Sequence, residues 1–98
     1  MNHLIISEDS RLDAIEATLW YESQRPGLGL DFELCLEAGL YQVQRNPLLY
    51  EKRYQEIRIH FLERFPCGIH YLVEPEIILV FGIFHTNRNP NDWFERLK

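Results

Sequence analysis

The sequence has few of the patterns that assign a short chain to a known chemistry. Its 98 residues contain no glycine-rich phosphate loop, no serine nucleophile motif and no Cys or His spacing typical of a metal site. No apolar run approaches the ~20 residues of a membrane-spanning helix, and the longest, at 77–84, fits a buried strand. No basic segment precedes the short apolar run at the N-terminus, so we expect no secretory signal. The only cysteines, Cys35 and Cys67, are expected to be reduced, small buried side chains.

Positive charge is also scarce, because the net charge is −5. Residues 1–45 carry eight acidic and three basic side chains, whereas residues 46–98 carry seven of each. Tight, sequence-independent binding to nucleic acid needs several Lys or Arg side chains facing phosphates, so an acidic chain is a poor candidate for it. Any basic surface must come from the second half: Lys52, Arg53, Arg58, Arg64, Arg88, Arg96 and Lys98.

The first half of the chain predicts a short strand at 4–6 followed by a helical hairpin. N-cap residues at 7–10 begin a helix that runs to about Gln24, where the Arg25-Pro26 step ends it. A second helix is expected from about Gly29 to Arg45, with Gly39 allowing the first helix to come close. The expected buried stripes are Leu12, Ile15 and Leu19 on the first helix, and Phe32, Leu36, Leu40 and Val43 on the second.

The second half changes to the period of β-strands. Strands are expected at 54–62, 68–73 and 77–85, and the last should be central because it is apolar at nearly every position. A turn is expected at 74–76, a loop at 87–91 and a final helical turn at 92–98. We therefore predict one α+β domain over residues 1–98: a helical hairpin packed on a mainly antiparallel four-stranded sheet, in the order β-α-α-β-β-β.

Histidines are the first candidates for chemistry. His60 and His70 lie in adjacent predicted strands and could face each other across the sheet, and His85 ends the last strand. His70 or His85 could serve as a general base. The alternative is that each is a hydrogen-bonded structural residue.

Arginines and a C-terminal aromatic pair form the second group of candidates. Arg58, Arg64 and Arg88 could line one concave sheet face, where they would stabilise a phosphorane-like transition state or grip a carboxylate-rich peptide. The alternative is solvated charge paired with neighbouring glutamates. Trp93, beside Phe94, either anchors the tail on the sheet or stacks on a base.

A series of short motifs runs in order along nearly the whole chain. They stand at 14–17, 21–22, 25–29, 32–34, 40, 46–47, 57–58, 64–71, 85 and 88–93. In order and spacing they resemble the RelE/ParE superfamily of bacterial toxins from type II toxin–antitoxin modules, and most closely its ParE-like branch. RelE-like members cut mRNA in the ribosomal A site without a metal, whereas some ParE-like members inhibit DNA gyrase. The resemblance implies a cognate antitoxin whose C-terminal segment wraps around the toxin.

This sequence departs from the RelE-like pattern at two positions. Gly68 stands where the nuclease branch carries an arginine, and Phe94, which cannot transfer a proton, stands where that branch often carries a tyrosine. Arg88 does match the other catalytic arginine position. These departures favour the ParE-like branch, as does the acidic net charge, since the ribosome is a dense field of phosphates.

The resemblance therefore implies a cytoplasmic toxin that inhibits growth, as plasmid-stabilization modules do, through protein–protein contact, with gyrase as one possible target. The alternatives are a ribosome-dependent mRNA endonuclease, using Arg88, His85 and His70, and a non-toxic antitoxin-binding adaptor. No cofactor, metal or membrane contact is expected. The expected partner-binding residues are Tyr54, Arg58, His60, Arg64, Arg88 and Trp93.

Overall fold

A computed structural model describes residues 3–96, with the backbone alone at Pro90 and Asp92. The elements follow in the order β1 (His3–Ile6), α1 (Glu8–Gln24), α2 (Leu28–Arg45), β2 (Lys52–Tyr54), β3 (Ile57–Phe61), β4 (Cys67–Val73), β5 (Ile77–His85) and α3 (Pro90–Arg96). The predicted α+β class, the helical hairpin and the mainly antiparallel sheet are confirmed. Residues 97 and 98 of the expected final helical turn lie outside the described residues.

The sheet has five strands in the order β1-β5-β4-β3-β2, one more than predicted. The extra strand arises because the segment expected as one strand, 54–62, contains a tight turn. Gln55 adopts φ 47° there, and Lys52 pairs with Arg58 across the turn. β1 is parallel to β5, and the other neighbours are antiparallel. As expected, β5 is an inner strand.

Local capping explains where the hairpin helices begin and end. The Ser7 side chain accepts a hydrogen bond from the Ser10 amide at the start of α1. After α1 ends, Gly27 takes a left-handed conformation with φ 89°. The Glu22 carboxylate accepts hydrogen bonds from the amides of Gly27 and Gly29, which fastens the turn to the last part of α1.

The close approach of the two helices occurs at Gly29, not at Gly39. A Cβ on Gly29 would lie 2.9 Å from the Thr18 carbonyl oxygen of α1. Gly39 instead faces the sheet, where a Cβ would lie 2.9 Å from Leu62 and 3.0 Å from Ile69. The expected role of Gly39 is therefore wrong, and its real function is to let α2 lie against β3 and β4.

The predicted buried stripe of α1 is also wrong. Leu12, Ile15 and Leu19 are 49%, 55% and 65% exposed. The side of α1 that faces the sheet carries Ala14, Ala17 and Tyr21, with Ser10 fully buried at its start. Small residues let α1 lie close to β5, where the Ser10 hydroxyl donates to the Val80 carbonyl oxygen. The stripe expected on α2 is confirmed, since Phe32, Leu36 and Val43 are buried and Leu40 is partly buried.

The sheet is covered on both faces. The face toward α1 and α2, here called the helix face, holds the larger core, which includes Ile69, Tyr71 and Ile83. The opposite face, here called the reverse face, holds a smaller core around Ile57, Phe81 and Phe84, against which Trp93 of α3 packs. Within residues 3–96 no helix is long and apolar enough to cross a membrane.

Candidate functional site

Five ring side chains form a cluster on the reverse face, where the expected tail anchor sits. Trp93 stacks on Tyr54 with ring centroids 5.4 Å apart and lies 4.7 Å from His70. Phe84 lies 4.7 Å from His70, and Phe81 lies 6.0 Å from it. We call Tyr54, His70, Phe81, Phe84 and Trp93 the aromatic cluster. Trp93 thus takes the anchoring role, one of its two predicted alternatives.

Burial keeps the ionisable groups of the aromatic cluster neutral. It lowers the pKa of His70 to about 4 and raises the pKa of Tyr54. The Tyr54 hydroxyl lies 2.9 Å from His70 Nδ1, so the two side chains satisfy each other. Among the described residues, the buried Trp93 Nε1 has no hydrogen-bond acceptor. At neutral pH His70 is therefore a neutral side chain packed inside the aromatic cluster, with 2% of its surface exposed.

Asp13 of α1 connects α3 to the part of β5 beyond its pairing with β1. Its carboxylate accepts a hydrogen bond from the Ile83 amide at 3.0 Å and pairs with the Arg96 guanidinium. Arg88 Nη1 lies 3.9 Å from the other carboxylate oxygen. Both guanidinium groups also lie over the Phe84 ring, at 5.0 Å for Arg88 and 4.8 Å for Arg96. These contacts hold α3 over the reverse face.

The three candidate arginines do not share a sheet face. Arg58 lies opposite Tyr71 in the β3–β4 register, which places it on the helix face, where it donates to the Tyr50 carbonyl oxygen. Arg64 lies beyond the end of β3, and Arg88 lies near Asp13 at the far edge of the sheet. The predicted arginine-lined concave face is therefore absent from the described structure.

The two strand histidines do not face each other either. His60 pairs with Ile69 on the helix face, whereas His70 pairs with Ile59 on the reverse face. Burial lowers the pKa of His60, and the carboxylate of Glu63 opposes that shift. Because residues alternate sides along a strand, a one-position offset in register separates the two rings.

His60 and Arg64 line a groove between α2 and β3. The groove has a volume of about 300 Å³, and Arg64 lies 3.9 Å from Asp31 of α2 across it. Cys35, half-buried, also lines it, while Cys67 is buried in the core and both thiols are free. We call this the α2–β3 groove.

His85 and Arg88 line a separate cavity of about 280 Å³ at the edge of β5. Its other walls come from α1, including Asp13 and Trp20, and from Cys67. His85 is exposed, and its Nδ1 accepts a hydrogen bond from the Asn87 amide. The third candidate catalytic residue, His70, lies apart from this cavity in the aromatic cluster.

Structural comparison finds a solved structure with the same fold. The structure matches a chain of a chromosomal ParDE TA system from P. aeruginosa with a TM-score of 0.77. The two sequences are 18% identical, and the match covers 87% of this chain and 96% of the other. The fold is ParE-like. No protein-family model and no curated protein matches the chain.

The ParE-like fold gathers some of the predicted partner-binding residues and separates others. Tyr54 and Trp93 are together in the aromatic cluster, and His60 and Arg64 share the α2–β3 groove. Sequence reasoning missed Asp13, which binds three different groups. The one feature of the sequence that could have indicated Asp13 is its position next to Ala14, on the side of α1 that faces the sheet.

Proposed function

We propose that the protein is the toxin of a type II toxin–antitoxin pair and that it acts by contact with another protein. Two observations support the proposal: the ParE-like fold shared with a chromosomal ParDE TA system, and the covered reverse face of the sheet. The second observation carries the choice of mechanism. The aromatic cluster and α3 occupy the reverse face, and His70 is neutral and buried beneath them.

RNA cleavage would need an acid, a base and a cation around one phosphate. Of the three candidates, His70 is sealed, and only His85 and Arg88 share an open cavity. That cavity also contains Glu16, whose carboxylate repels a phosphodiester, and Asp13, which offsets the positive charge of Arg88 3.9 Å away. The net charge of −5 opposes docking on the ribosome in the same way.

This mechanism requires two protein partners, an antitoxin and a target. A cognate antitoxin neutralises the toxin in the cytoplasm, and the target is a protein such as DNA gyrase. The α2–β3 groove would take a stretch of the antitoxin, and a carboxylate of that stretch would compete with Asp31 for the exposed Arg64 guanidinium. Arg64→Glu should then weaken antitoxin binding at least tenfold, whereas Arg45→Glu, an exposed arginine at the end of α2, should not.

Induced expression in a bacterium tests the mechanism. We expect growth arrest accompanied by lost plasmid supercoiling or DNA damage, with mRNA ends unchanged from an uninduced culture. Growth arrest with new cuts at ribosomal A-site codons and normal supercoiling would establish the nuclease instead. No arrest, together with an intact complex with the product of the adjacent gene, would leave an antitoxin-binding adaptor.

A further inference from the structure

Exposed apolar and basic side chains meet at one end of the molecule, where α2 finishes and β2 pairs with β3. Leu48 and Leu49 are 65% and 68% exposed, and Tyr41 and Phe61 are 60% and 44% exposed. Leu49 and Phe61 line one cavity of about 460 Å³, together with Gln42, which follows Tyr41 on α2. We call six residues around this cavity the end patch: Tyr41, Arg45, Leu48, Leu49, Arg53 and Phe61.

The loop that carries the two leucines is fastened to the sheet on both sides of them. The Pro47 carbonyl oxygen accepts a hydrogen bond from the Tyr71 hydroxyl at 2.8 Å, and the Tyr50 carbonyl oxygen accepts one from the Arg58 guanidinium. The fold therefore holds the leucines outward, away from the core. An exposed apolar surface built in this way marks an interaction site more often than it is left bare.

The two arginines of the end patch stack on its aromatic rings. The Arg45 guanidinium lies 5.6 Å from the Tyr41 ring centroid, and the Arg53 guanidinium lies 5.4 Å from that of Phe61. Both arginines are exposed, and neither forms an ion pair with another described side chain. Stacking uses the flat face of a guanidinium and leaves its N–H groups for a carboxylate or a phosphate. Tyrosine and arginine are also enriched among the residues that dominate binding energy at protein interfaces.

The charges around the cavity favour a protein over a nucleic acid as the occupant. The occupant must offer negative charge to Arg45 and Arg53 and apolar surface to the leucines. Glu51 and Glu63 line the cavity between these groups, where they would repel a chain of phosphates. A polypeptide can place carboxylates at the arginines and an apolar side chain in the cavity, so an acidic segment with apolar side chains is complementary.

A second copy of this chain is a poor occupant. A two-fold dimer through the end patch would face the arginines of one copy with those of the other. The acidic hairpin, in the part of the chain (residues 1–45) with net charge −5, offers the opposite charge. A contact from the hairpin of one copy to the end patch of the next does not close, and it would build open chains of molecules.

We propose that the end patch is the surface through which the proposed toxin binds its target protein, at a segment of the target that carries carboxylates beside apolar side chains. The inference rests on the proposed function, because it assigns the target contact of the same toxin. The end patch shares no residue with the α2–β3 groove, but Gln42, His60 and Glu63 line both the groove and the patch cavity. An antitoxin segment in the groove would therefore obstruct the target, which gives neutralisation a steric basis.

Matched charge reversals test the end patch in growing cells. Arg45→Glu with Arg53→Glu removes the positive charges that would hold the target, so induced cells should form at least tenfold more colonies than with the wild type. Affinity for the antitoxin should stay within twofold. Arg11→Glu with Arg25→Glu makes the same change in net charge at two exposed arginines outside the patch. That variant should arrest growth within twofold of the wild type.

The purified protein gives a test that does not need the target. Two synthetic peptides of ~15 residues, about four helical turns, carry the same leucines, and one has glutamate where the other has glutamine. Fluorescence anisotropy should show at least tenfold tighter binding of the glutamate peptide. Leu48→Ser with Leu49→Ser should weaken that binding at least tenfold. Leu12→Ser with Leu30→Ser, two exposed leucines outside the patch, should change it less than twofold. Circular dichroism melts confirm that the variants fold.

Several results would overturn the proposal. Unchanged growth arrest in Arg45→Glu with Arg53→Glu, or equal binding of the two peptides, would show that the patch does not hold an acidic segment. A single-stranded DNA of ~15 nucleotides that bound more tightly than the glutamate peptide, and lost affinity in the same double variant, would assign the patch to nucleic acid. A dimer in sedimentation equilibrium that Leu48→Ser with Leu49→Ser dissociates would assign it to a second copy. If the wild type itself does not arrest growth, the toxin proposal fails, and the peptide titration alone decides whether the patch binds an acidic segment.

Discussion

Asp13 is the side chain that joins the C-terminal helix to the rest of the protein. It is nearly buried, and it combines an ion pair to Arg96 with a hydrogen bond from the Ile83 amide. Charged hydrogen bonds in such surroundings contribute more than those at exposed sites, because water competes less for the partners. Asp9 offers a natural comparison, since it lies 3.9 Å from the same Arg96 but is 63% exposed.

We therefore expect Asp13→Asn to lower the free energy of unfolding by about 1–3 kcal/mol, because it leaves the Arg96 charge without a close, shielded partner. Asp9→Asn should lower it by no more than about 0.5 kcal/mol, since exposed ion pairs are screened. Urea denaturation measures both values. Equal effects of the two substitutions would contradict the role given to Asp13.

His70 gives the protein a defined dependence on pH. Its pKa is about 4 in the folded state and 6.5 ordinarily, because burial disfavours the charged ring. Between pH 4 and pH 6.5, His70 therefore binds a proton in the unfolded chain but not in the folded protein. This contribution to stability is complete above pH 6.5 and is lost as the pH falls toward 4.

Between pH 7.5 and pH 5.0 the wild type should lose roughly 2 kcal/mol of stability through His70. His70→Gln, which keeps an acceptor for the Tyr54 hydroxyl, should remove that part of the pH dependence. His85→Gln, at an exposed position, should leave it in place. Urea denaturation of the three proteins at both pH values makes the comparison, and an unchanged slope in His70→Gln would refute it.

At the scale of elements, the ends of the hairpin helices could be predicted from the sequence, whereas the buried side of α1 could not. Helix ends followed from Ser7, Pro26 and Gly27, because capping and backbone restrictions act locally. The buried side of α1 did not follow, since α1 carries apolar side chains on both sides and only the sheet decides which side packs. The side of α1 with the small residues Ala14 and Ala17 packs on the sheet, because α1 lies close to β5. The side with Leu12, Ile15 and Leu19 is left exposed.

In the candidate site, the role of one side chain could be predicted from the sequence, but the face of the sheet on which the others lie could not. Trp93 was correctly expected as one candidate anchor, because an aromatic residue after a strand commonly folds back. The arrangement of Arg58, His60 and His70 depended on strand register, which the sequence did not define. The turn at Gln55 shortened one strand, and each histidine then took the face given by its own position.

Gly29 is the position at which the two helices of the hairpin meet most closely. In Gly29→Ala the new methyl group would lie 2.9 Å from a backbone oxygen that cannot swing away. Overpacking of this kind costs about 1–3 kcal/mol, against a gain of at most about 1 kcal/mol from helix propensity. Thermal denaturation should show a net loss, whereas Glu37→Ala, exposed on the same helix, should change stability by less than about 0.5 kcal/mol. A stabilised Gly29→Ala would mean that the helices separate readily.

At the scale of the whole molecule, the proposed mechanism makes His85 dispensable. Toxicity by protein contact requires an intact surface but no proton transfer, and His85 is the one candidate base that is exposed. Expression of the His85→Ala variant should therefore still arrest growth. The number of colony-forming units should stay within about twofold of that with the wild type, since binding to the target protein needs no proton transfer. A nuclease that used His85 as its base would instead lose about 10²–10⁴-fold in cleavage, and growth would recover.

The short length of β1 has a consequence for association between molecules. β1 pairs with β5 only as far as Val80, so the stretch of β5 beyond it would offer free backbone groups to any passing strand. The Ile83 amide donates a hydrogen bond to Asp13, and Arg96 Nη1 lies 3.5 Å from the Phe81 carbonyl oxygen. These side chains therefore occupy the backbone groups that another strand would hydrogen-bond. The same ion pair that fastens the C-terminal helix thereby blunts a sheet edge, and its loss would expose a template for edge-to-edge aggregation.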